Sequence, residues 1–145
     1  MCVLVFLLTR IIIDNNIRRQ ARRVPIEQRE ESRMSNATVK DYEEILRVAQ
    51  LYVDGCARGD CEGMKPAFHA SATINGAPIQ TLFDGATRAG PTDSRARVDV
   101  LDVVNDVAVI RVTLENYFGA DYVDFHVLKK DESGWKILAK VFTGV

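Results

Sequence analysis

Residues 50–76, QLYVDGCARGDCEGMKPAFHASATING, decide the fold, because a helix end, a turn, a short helix and a strand follow one another within them. Upstream of this stretch, Thr38 and Asp41 have the spacing of a capping box. Apolar residues then recur every three or four positions as far as Cys56, as they do on one face of a helix. The pattern predicts one amphipathic helix over about residues 38–57.

The middle of the stretch predicts a second, shorter helix. Gly59 is a helix stop, and Asp60 is a favourable N-cap for a helix that begins near Cys61. Pro66 ends this helix or comes shortly before its end, and strand-forming residues follow from Ala72. Two helices arranged as a hairpin therefore precede the sheet.

The rest of the chain predicts strands. We expect IQTLF (79–83) to be extended and residues 84–95, which are rich in Gly, Pro, Thr and Asp, to form a loop with at most two helical turns. Hairpin spacing then predicts four more strands, near 95–104, 107–118, 121–129 and 135–142. This order of elements predicts a single α+β domain over residues 34–145, with the helices on one face of a curved antiparallel sheet.

Turn positions give a register for the last three strands. A two-residue turn at Gly119-Ala120 places Glu115 opposite Asp124. A loop over residues 130–134 pairs Lys129 with Trp135 and places Lys140 on the other side of Asp124. Glu115, Asp124 and Lys140 would then form a row across three strands.

Side-chain alternation in this register separates two faces of the sheet. The mixed face carries Arg111, Thr113, Glu115, Tyr117, Tyr122, Asp124, His126, Leu128 and Lys140. The apolar face carries Ile110, Val112, Leu114, Val123, Phe125, Val127, Trp135, Ile137, Ala139 and Val141. If the mixed face is enclosed, neighbouring charges will shift the pKa values of its carboxyl groups, and it becomes a candidate ligand site. If the mixed face lies in water, solvent screens these charges and they do not indicate a ligand site.

Composition excludes several classes of function. The net charge of −1 on 145 residues argues against a nucleic-acid or anionic-membrane partner. Three cysteines and two histidines give no metal-ligand spacing and no disulfide framework, and neither a phosphate loop nor a dinucleotide fingerprint occurs. We therefore expect a cytoplasmic protein with reduced thiols, no metal and no cofactor.

Residues 1–33 differ from the rest of the chain. Their apolar run is too short to span a bilayer, and the arginines that follow it are in the wrong place for a secretory signal. We expect a disordered or non-native extension here, with an amphipathic membrane anchor as the alternative.

The quoted stretch is similar to the opening of the superfamily that includes nuclear transport factor 2, scytalone dehydratase and ketosteroid isomerase. Within it, YVDGCARGD (52–60), FHASATI (68–74) and DFHVLKKDESGWKILAKVF (124–142) most resemble the SnoaL-like group and the bacterial proteins named for lumazine binding. The resemblance covers about residues 38–145 and implies a cone-shaped, cystatin-like domain.

The resemblance also implies roles for particular residues. The isomerases' hydrogen-bonding Tyr and Asp fall on Tyr52 and Asp124, but their general base falls on Gly76, so steroid isomerase activity is not expected. The face that carries Asp124 would look into the cone under the helix of Tyr52. The apolar face would then point outward and form a homodimer.

These observations predict a homodimer that binds a small organic, partly aromatic molecule in a polar pocket. The candidate ligand-binding residues are Tyr52, His69, Glu115, Tyr117, Asp124, His126 and Lys140. One alternative is a dehydratase, isomerase or cyclase in which Asp124 polarises a carbonyl group and His126 moves a proton. Another is a purely structural dimerisation module. Whether the protein is an enzyme is left open by the sequence.

Overall fold

The fold is given by a computed structural model, which describes residues 37–145; the expectation for residues 1–33 lies outside them. The helices are α1 (Val39–Arg58), α2 (Cys61–Met64) and α3 (Gln80–Ala89), and a 3₁₀ turn (Lys65–Ala67) joins α2 to the sheet. The strands are β1 (Phe68–Ile74), β2 (Ala77–Pro78), β3 (Arg95–Val104), β4 (Val107–Tyr117), β5 (Ala120–Asp131) and β6 (Gly134–Gly144).

Helix α1 begins and ends at the predicted signals. The Thr38 hydroxyl accepts a hydrogen bond from the Asp41 backbone N–H, and the Asp41 carboxylate accepts one from the Thr38 backbone N–H at 2.8 Å. This reciprocal arrangement satisfies two of the donors that a helix start leaves unpaired. At the other end, Gly59 adopts a left-handed conformation with φ of 65°, which glycine tolerates best.

The strands form one open sheet in the order β2-β1-β6-β5-β4-β3. Strands β3 to β6 pair in sequence as antiparallel hairpins, whereas β1 pairs with β6 in parallel. The α+β class is confirmed, but the sheet is mixed and not purely antiparallel. Strand β1 follows the helical hairpin directly and pairs with β6. Helix α1 therefore packs on the inner face of the sheet, where it contacts β6 and β3.

Helix α3 corrects the prediction for residues 79–95. IQTLF was expected to be extended and residues 84–95 to be mostly loop, but Gln80–Ala89 is a helix of 10 residues. Phe83 and Ala86 are its buried residues, and Gly90 ends it. The strand prediction was wrong because a short apolar run suits a buried helix as well as a strand.

The predicted register of β4 against β5 is wrong. The turn uses Phe118 and Gly119, whose φ angles are 53° and 84°, so it lies one residue earlier than expected. A bulge between Leu114 and Tyr117 adds one more residue to β4. The shifted turn preserves alternation, but the bulge exchanges the two faces of β4, because the side-chain period of a strand is two.

The exchange changes the neighbours of the candidate residues. Val112, and not Glu115, lies opposite Asp124, and Ile110 lies opposite His126. Strand β4 therefore contributes apolar residues to the face that Asp124 and His126 occupy. The predicted row of Glu115, Asp124 and Lys140 does not form.

Strands β5 and β6 also pair differently from the prediction. Trp135 lies opposite Lys130, and a bulge at Leu138 separates the Leu128–Ile137 pair from the pairs that follow. Trp135 and Ile137 are consequently buried on the inner face and do not belong to the outer apolar set. Beyond the bulge Lys140 returns to the inner face, opposite His126 and not opposite Asp124.

The inner face of the sheet is the one that α1 covers. Asp124, His126 and Lys140 are all buried there, while Phe125 and Val141 are exposed on the outer face. The expectation that the Asp124 face lies under the helix of Tyr52 is therefore confirmed. The sequence had raised the opposite possibility, in which these charges would be in solvent.

Candidate functional site

Two residues that are distant in sequence meet at the centre of the domain. The Tyr52 hydroxyl, on the fourth turn of α1, donates a hydrogen bond of 2.6 Å to Asp124 Oδ2 on β5. Each of these residues is only 1% exposed. A hydrogen bond to a carboxylate is short and strong, and burial makes it more so.

Lys140 completes a buried ion pair with the same carboxylate. Its ammonium nitrogen lies 3.0 Å from Asp124 Oδ1, and its side chain is 4% exposed. The contact is an ion pair at hydrogen-bond distance, although its angles are not those of a regular hydrogen bond. Lys140 Nζ also lies 4.2 Å from the centroid of the Phe142 ring. Asp124 Oδ1 thus retains capacity to accept another hydrogen bond.

His126 is fully buried beside this pair. Its Nε2 atom lies 3.8 Å from Asp124 Oδ2, which is too long for a hydrogen bond, and neither ring nitrogen has a hydrogen-bond partner. The imidazole packs edge-on against the Tyr52 ring with centroids 4.7 Å apart. A buried imidazole with both nitrogens unpaired is uncommon, because such groups normally find a partner. We refer to Tyr52, Asp124, His126 and Lys140 as the Asp124 cluster.

Burial and charge shift the pKa values within the cluster. Burial raises the pKa of Asp124, but the His126 ring, the Lys140 ammonium and the Tyr52 hydroxyl together outweigh it, and the pKa is lowered. Burial lowers the pKa of His126 despite the nearby carboxylate, so the ring is neutral at neutral pH. Burial also lowers the pKa of Lys140, although Asp124 opposes this shift. The pKa of Tyr52 is raised, mainly by burial.

A cavity of about 200 Å³ opens beside the cluster, and we call it the inner cavity. Tyr52, Asp124 and Lys140 form its polar wall. The remaining lining residues are apolar or aromatic: Ile74, Leu82, Leu114, Tyr117, Tyr122 and Phe142. His126 is not a lining residue. A molecule in the inner cavity would meet the polar side chains of Tyr52, Asp124 and Lys140 at one wall and mainly aromatic or aliphatic side chains elsewhere.

A second, more open cavity of about 480 Å³ adjoins the first, and we call it the vestibule. The two share Ile74, Leu82, Tyr117 and Phe142 in their walls. Helix α3 supplies most of the rest of the vestibule, with Phe118 from the β4–β5 turn. The combined space is polar at its inner end and apolar towards solvent.

The other predicted site residues lie in three different places. Tyr117 lines both the inner cavity and the vestibule. His69 lies on β1 beside a separate surface cavity, where its Nδ1 is 2.7 Å from the Ser71 hydroxyl oxygen. Glu115 is exposed, with a carboxylate oxygen 3.8 Å from Arg95. The structure therefore brings Tyr52, Tyr117, Asp124, His126 and Lys140 together and leaves His69 and Glu115 outside.

Gly76, which occupies the isomerases' general-base position by resemblance, lies in the turn between β1 and β2. Its φ of 82° is a conformation that glycine adopts readily, and it offers no side chain for proton transfer. Asn75 beside it accepts a hydrogen bond of 2.9 Å from the Phe142 backbone N–H. Asn75 thereby fixes the strand that carries an aromatic wall of the inner cavity.

Several lining residues were missed by the sequence analysis. Leu82 was assigned to a strand, although Ile79, Phe83 and Ala86 have helical spacing and Gly90 follows as a stop. Phe142 is absent from the predicted site, although it lies two residues after Lys140 on the same strand. Residues two apart on a strand share a face, so this spacing places Phe142 beside Lys140.

Comparison with known proteins identifies the family. The family described as "Putative lumazine-binding" matches residues 40–143, which include every residue of the Asp124 cluster. The chain belongs to this family. Its fold is that of the nuclear transport factor 2-like (NTF2-like) superfamily, as the similar solved structures also show.

Two solved structures and one curated protein are similar to this family member. An NTF2-like protein of unknown function from Shewanella baltica OS155 is 30% identical, with a TM-score of 0.71, over 76% of this chain and 98% of that one. A second, from Methylobacillus flagellatus KT, is 31% identical, with a TM-score of 0.72, over 77% and 98% of the two chains. Aldolase FrzH from Cladobotryum sp. is 26% identical over 115 residues, or 72% of this chain and 92% of its own.

The lumazine-binding family and its fold support a small-molecule-binding protein. Within residues 37–145, the structure has no helix with the length and hydrophobicity needed to cross a bilayer.

Proposed function

We propose that this protein binds a small organic molecule in the inner cavity, with the polar end of the ligand at Asp124 and Lys140 and its apolar body in the vestibule. The observation that carries the proposal is the buried charge pair of Asp124 and Lys140 at the wall of a cavity that is otherwise mostly apolar. A carboxylate can accept more hydrogen bonds than Tyr52 and Lys140 supply, so a ligand with a suitably placed donor gains binding energy there.

The shape and polarity of the space restrict the ligand. Tyr117, Tyr122 and Phe142 give the inner cavity three aromatic walls, which suit a flat ring. Asp124 accepts a hydrogen bond, and the Lys140 ammonium donates one. A planar heterocycle with adjacent N–H and C=O groups matches both partners, and the family name points to the same class.

Thermal-shift measurements with lumazine and with small aromatic ketones test this proposal. We expect the melting temperature to rise with one of these classes, and the rise to be lost in Asp124→Asn, which keeps the shape but changes the charge. Glu115→Gln removes an exposed carboxylate outside the cluster and serves as the matched control. Equal stabilisation of the wild type and Asp124→Asn would contradict the proposed role of Asp124.

A second candidate function is an enzyme that acts on a carbonyl compound. The similarity to a protein named as an aldolase favours it. Asp124 and Lys140 could polarise or deprotonate a bound carbonyl compound, and neutral His126 lies close to Asp124. Turnover of a carbonyl substrate that is lost in Asp124→Asn, with binding retained, would support this candidate.

We also propose that a second copy of the chain covers the outer face of the sheet. Phe125, Val127 and Val141 are exposed there on β5 and β6. Next to them, Arg111 on β4 pairs with Asp99 on β3 at 2.9 Å. An apolar patch bordered by charges of both signs offers the kinds of group that two identical surfaces need to meet across a two-fold axis. The proposed homodimer leaves the inner cavity accessible, because the cavity lies on the other face.

A further inference from the structure

We propose that Lys140 forms an imine with aldehydes or ketones that enter the inner cavity. The protein would then capture carbonyl compounds covalently and reversibly. This inference rests on the proposed function, because the cavity must first admit an organic molecule. It adds a reaction at a specific atom, Lys140 Nζ, to the binding role.

The placement of Lys140 separates it from the other lysines of the described residues. It is the only lysine that lines the inner cavity, and its side chain is 4% exposed. By contrast, Lys136 on the same strand is oriented to the surface, where its ammonium donates a hydrogen bond to the Pro66 carbonyl oxygen. An amine inside a cavity with aromatic walls loses hydration, and loss of hydration makes the neutral, nucleophilic form easier to reach.

Aromatic rings and a carboxylate surround the reacting nitrogen. Lys140 Nζ lies 5.6 Å from the centroid of Tyr52 and 4.2 Å from that of Phe142, with Asp124 Oδ1 at 3.0 Å. The aromatic walls leave room for a flat carbonyl compound next to the amine. Among residues 37–145, Asp124 is the titratable group that lies within hydrogen-bond distance of the amine, so it can exchange a proton with it.

Lys140 and Asp124 supply the nucleophile and the acid–base group that imine formation requires. The Lys140 ammonium gives a proton to Asp124, and the free amine attacks the carbonyl carbon. Transfer of a proton from nitrogen to oxygen gives a carbinolamine. Asp124 then returns its proton to the hydroxyl group, water leaves, and the product is a protonated imine beside a carboxylate. The charges on both residues are the same at the end as at the start.

The ion pair between Lys140 and Asp124 is compatible with this chemistry. The Asp124 carboxylate stabilises the unreactive ammonium form of Lys140, and it stabilises the protonated imine in the same way. The Phe142 ring favours a cation above its face in both states. Burial lowers the pKa of Lys140 in spite of the carboxylate, so the free amine is more accessible at neutral pH than in an exposed lysine.

Reductive trapping tests the proposal on the full chain. The protein is incubated with benzaldehyde and sodium cyanoborohydride at neutral pH, and the labelled lysines are located by peptide mass spectrometry. We expect Lys140 to be labelled about tenfold faster than Lys136 or more, because Lys140 lines the cavity that holds the aldehyde beside the amine, whereas the Lys136 ammonium donates a hydrogen bond at the surface. Lys136→Met should leave labelling of Lys140 unchanged, whereas Lys140→Met should abolish the fast phase.

The wild-type peptide map decides the outcome even if Lys140→Met does not fold. Labelling of Lys140 that is no faster than that of exposed lysines would overturn the imine proposal. Benzyl alcohol, which has the same ring but no carbonyl group, separates this result from failure of the binding proposal. If benzyl alcohol and benzaldehyde both raise the melting temperature and no fast labelling occurs, ligand binding stands and imine formation is wrong. If neither compound binds and no fast labelling occurs, imine formation is wrong for these probes and the binding proposal loses its support as well.

Discussion

The Tyr52 hydroxyl and the Asp124 carboxylate lie 2.6 Å apart although 72 positions separate them in sequence. This hydrogen bond connects the fourth turn of α1 to β5. It also leaves Asp124 Oδ1 for the ion pair with Lys140 at the wall of the inner cavity. Under the proposed function, the contact that stabilises the fold also orients the carboxylate that would bind the ligand.

We expect Tyr52→Phe to destabilise the fold by about 1.5–3 kcal/mol, the range for a hydrogen bond to a charged group. The variant leaves the ring packing against His126 and removes only the donor. Urea denaturation followed by circular dichroism measures the change. Tyr42→Phe, on an exposed part of the same helix, is the matched control and should change stability little. An equal loss in the two variants would show that the hydrogen bond is unimportant.

The ion pair of Asp124 and Lys140 should show strong coupling. Asp124→Asn leaves a buried lysine without its partner and should cost about 3–5 kcal/mol. We expect the double variant Asp124→Asn/Lys140→Met to be more stable than the sum of the single changes predicts, by about 1–3 kcal/mol. A double-mutant cycle in urea measures this difference. Additive effects would contradict a direct interaction.

The buried imidazole of His126 should make the protein sensitive to mild acid. Its folded-state pKa is lowered, mainly by burial, so the unfolded chain binds the additional proton first. Stability is therefore complete above about pH 6.5 and falls as the pH decreases below it, by at most about 1.4 kcal/mol per pH unit. His126→Phe should remove this slope between about pH 6.5 and pH 5, above the range in which Asp124 titrates.

The chain contains one other histidine, His69, which serves as the control for this experiment. His69→Gln should retain the wild-type slope, because His69 is only partly buried, on β1 outside the cluster. Retention of the slope in His126→Phe would assign the acid sensitivity to other groups.

Asp41 should stabilise the start of α1 because its carboxylate accepts hydrogen bonds from three other residues. Its carboxylate accepts hydrogen bonds from Lys130 Nζ at 2.6 Å and from Trp135 Nε1 at 3.0 Å, in addition to Thr38. Lys130 first, and then Thr38 and Trp135, lower the pKa of Asp41. A lowered pKa means that its stabilisation is present above about pH 4 and is lost as the pH falls further.

Asp41→Asn should therefore lower the melting temperature at neutral pH, and the difference from the wild type should shrink below about pH 4. Asp54→Asn, which removes an exposed partner of Arg58, should have a much smaller effect. Differential scanning calorimetry at several pH values measures both variants. A difference that persists unchanged in acid would contradict a role for the charge.

The outer face provides a test of the proposed homodimer. Phe125 is 45% exposed, and Phe125→Asp places a charge in the centre of the apolar patch. We expect this variant to sediment as a monomer while the wild type sediments as a dimer. Leu46→Asp, on α1 and also 45% exposed, should leave the dimer intact. A monomeric wild type would contradict the proposal directly.

Much of the fold could be predicted because its signals are local. The capping box at Thr38, the glycine stop at Gly59 and the hairpin spacing after residue 95 each act within a few residues, and the structure follows all three. Helix α3 was missed for the opposite reason. Residues 79–83 alone are too few to distinguish a helical period from a strand period. The residues that complete the helical spacing and end the helix, Ala86 and Gly90, fall in the segment that was expected to be a loop.

The composition of the site was harder to predict than the fold. Asp124, His126 and Lys140 alternate on their strands, so the sequence places them on one face whichever way the sheet is oriented. Glu115 was added to them because a continuous ladder was assumed. The bulge that removes Glu115 has no strong sequence signal: Asn116 adopts a φ of 55°, but asparagine is common in many other turns.

The bulge at Leu138 has a practical consequence for the comparison of related chains. A one-residue gap or insertion in this part of β6 would turn Lys140 from the interior to solvent and bring Ala139 or Val141 inward. Two homologues with similar overall identity could then differ completely in whether they present an amine to a bound molecule. Alignments of this family should accordingly be sorted first by the length of the segment between Trp135 and Lys140, before any shared activity is transferred between members.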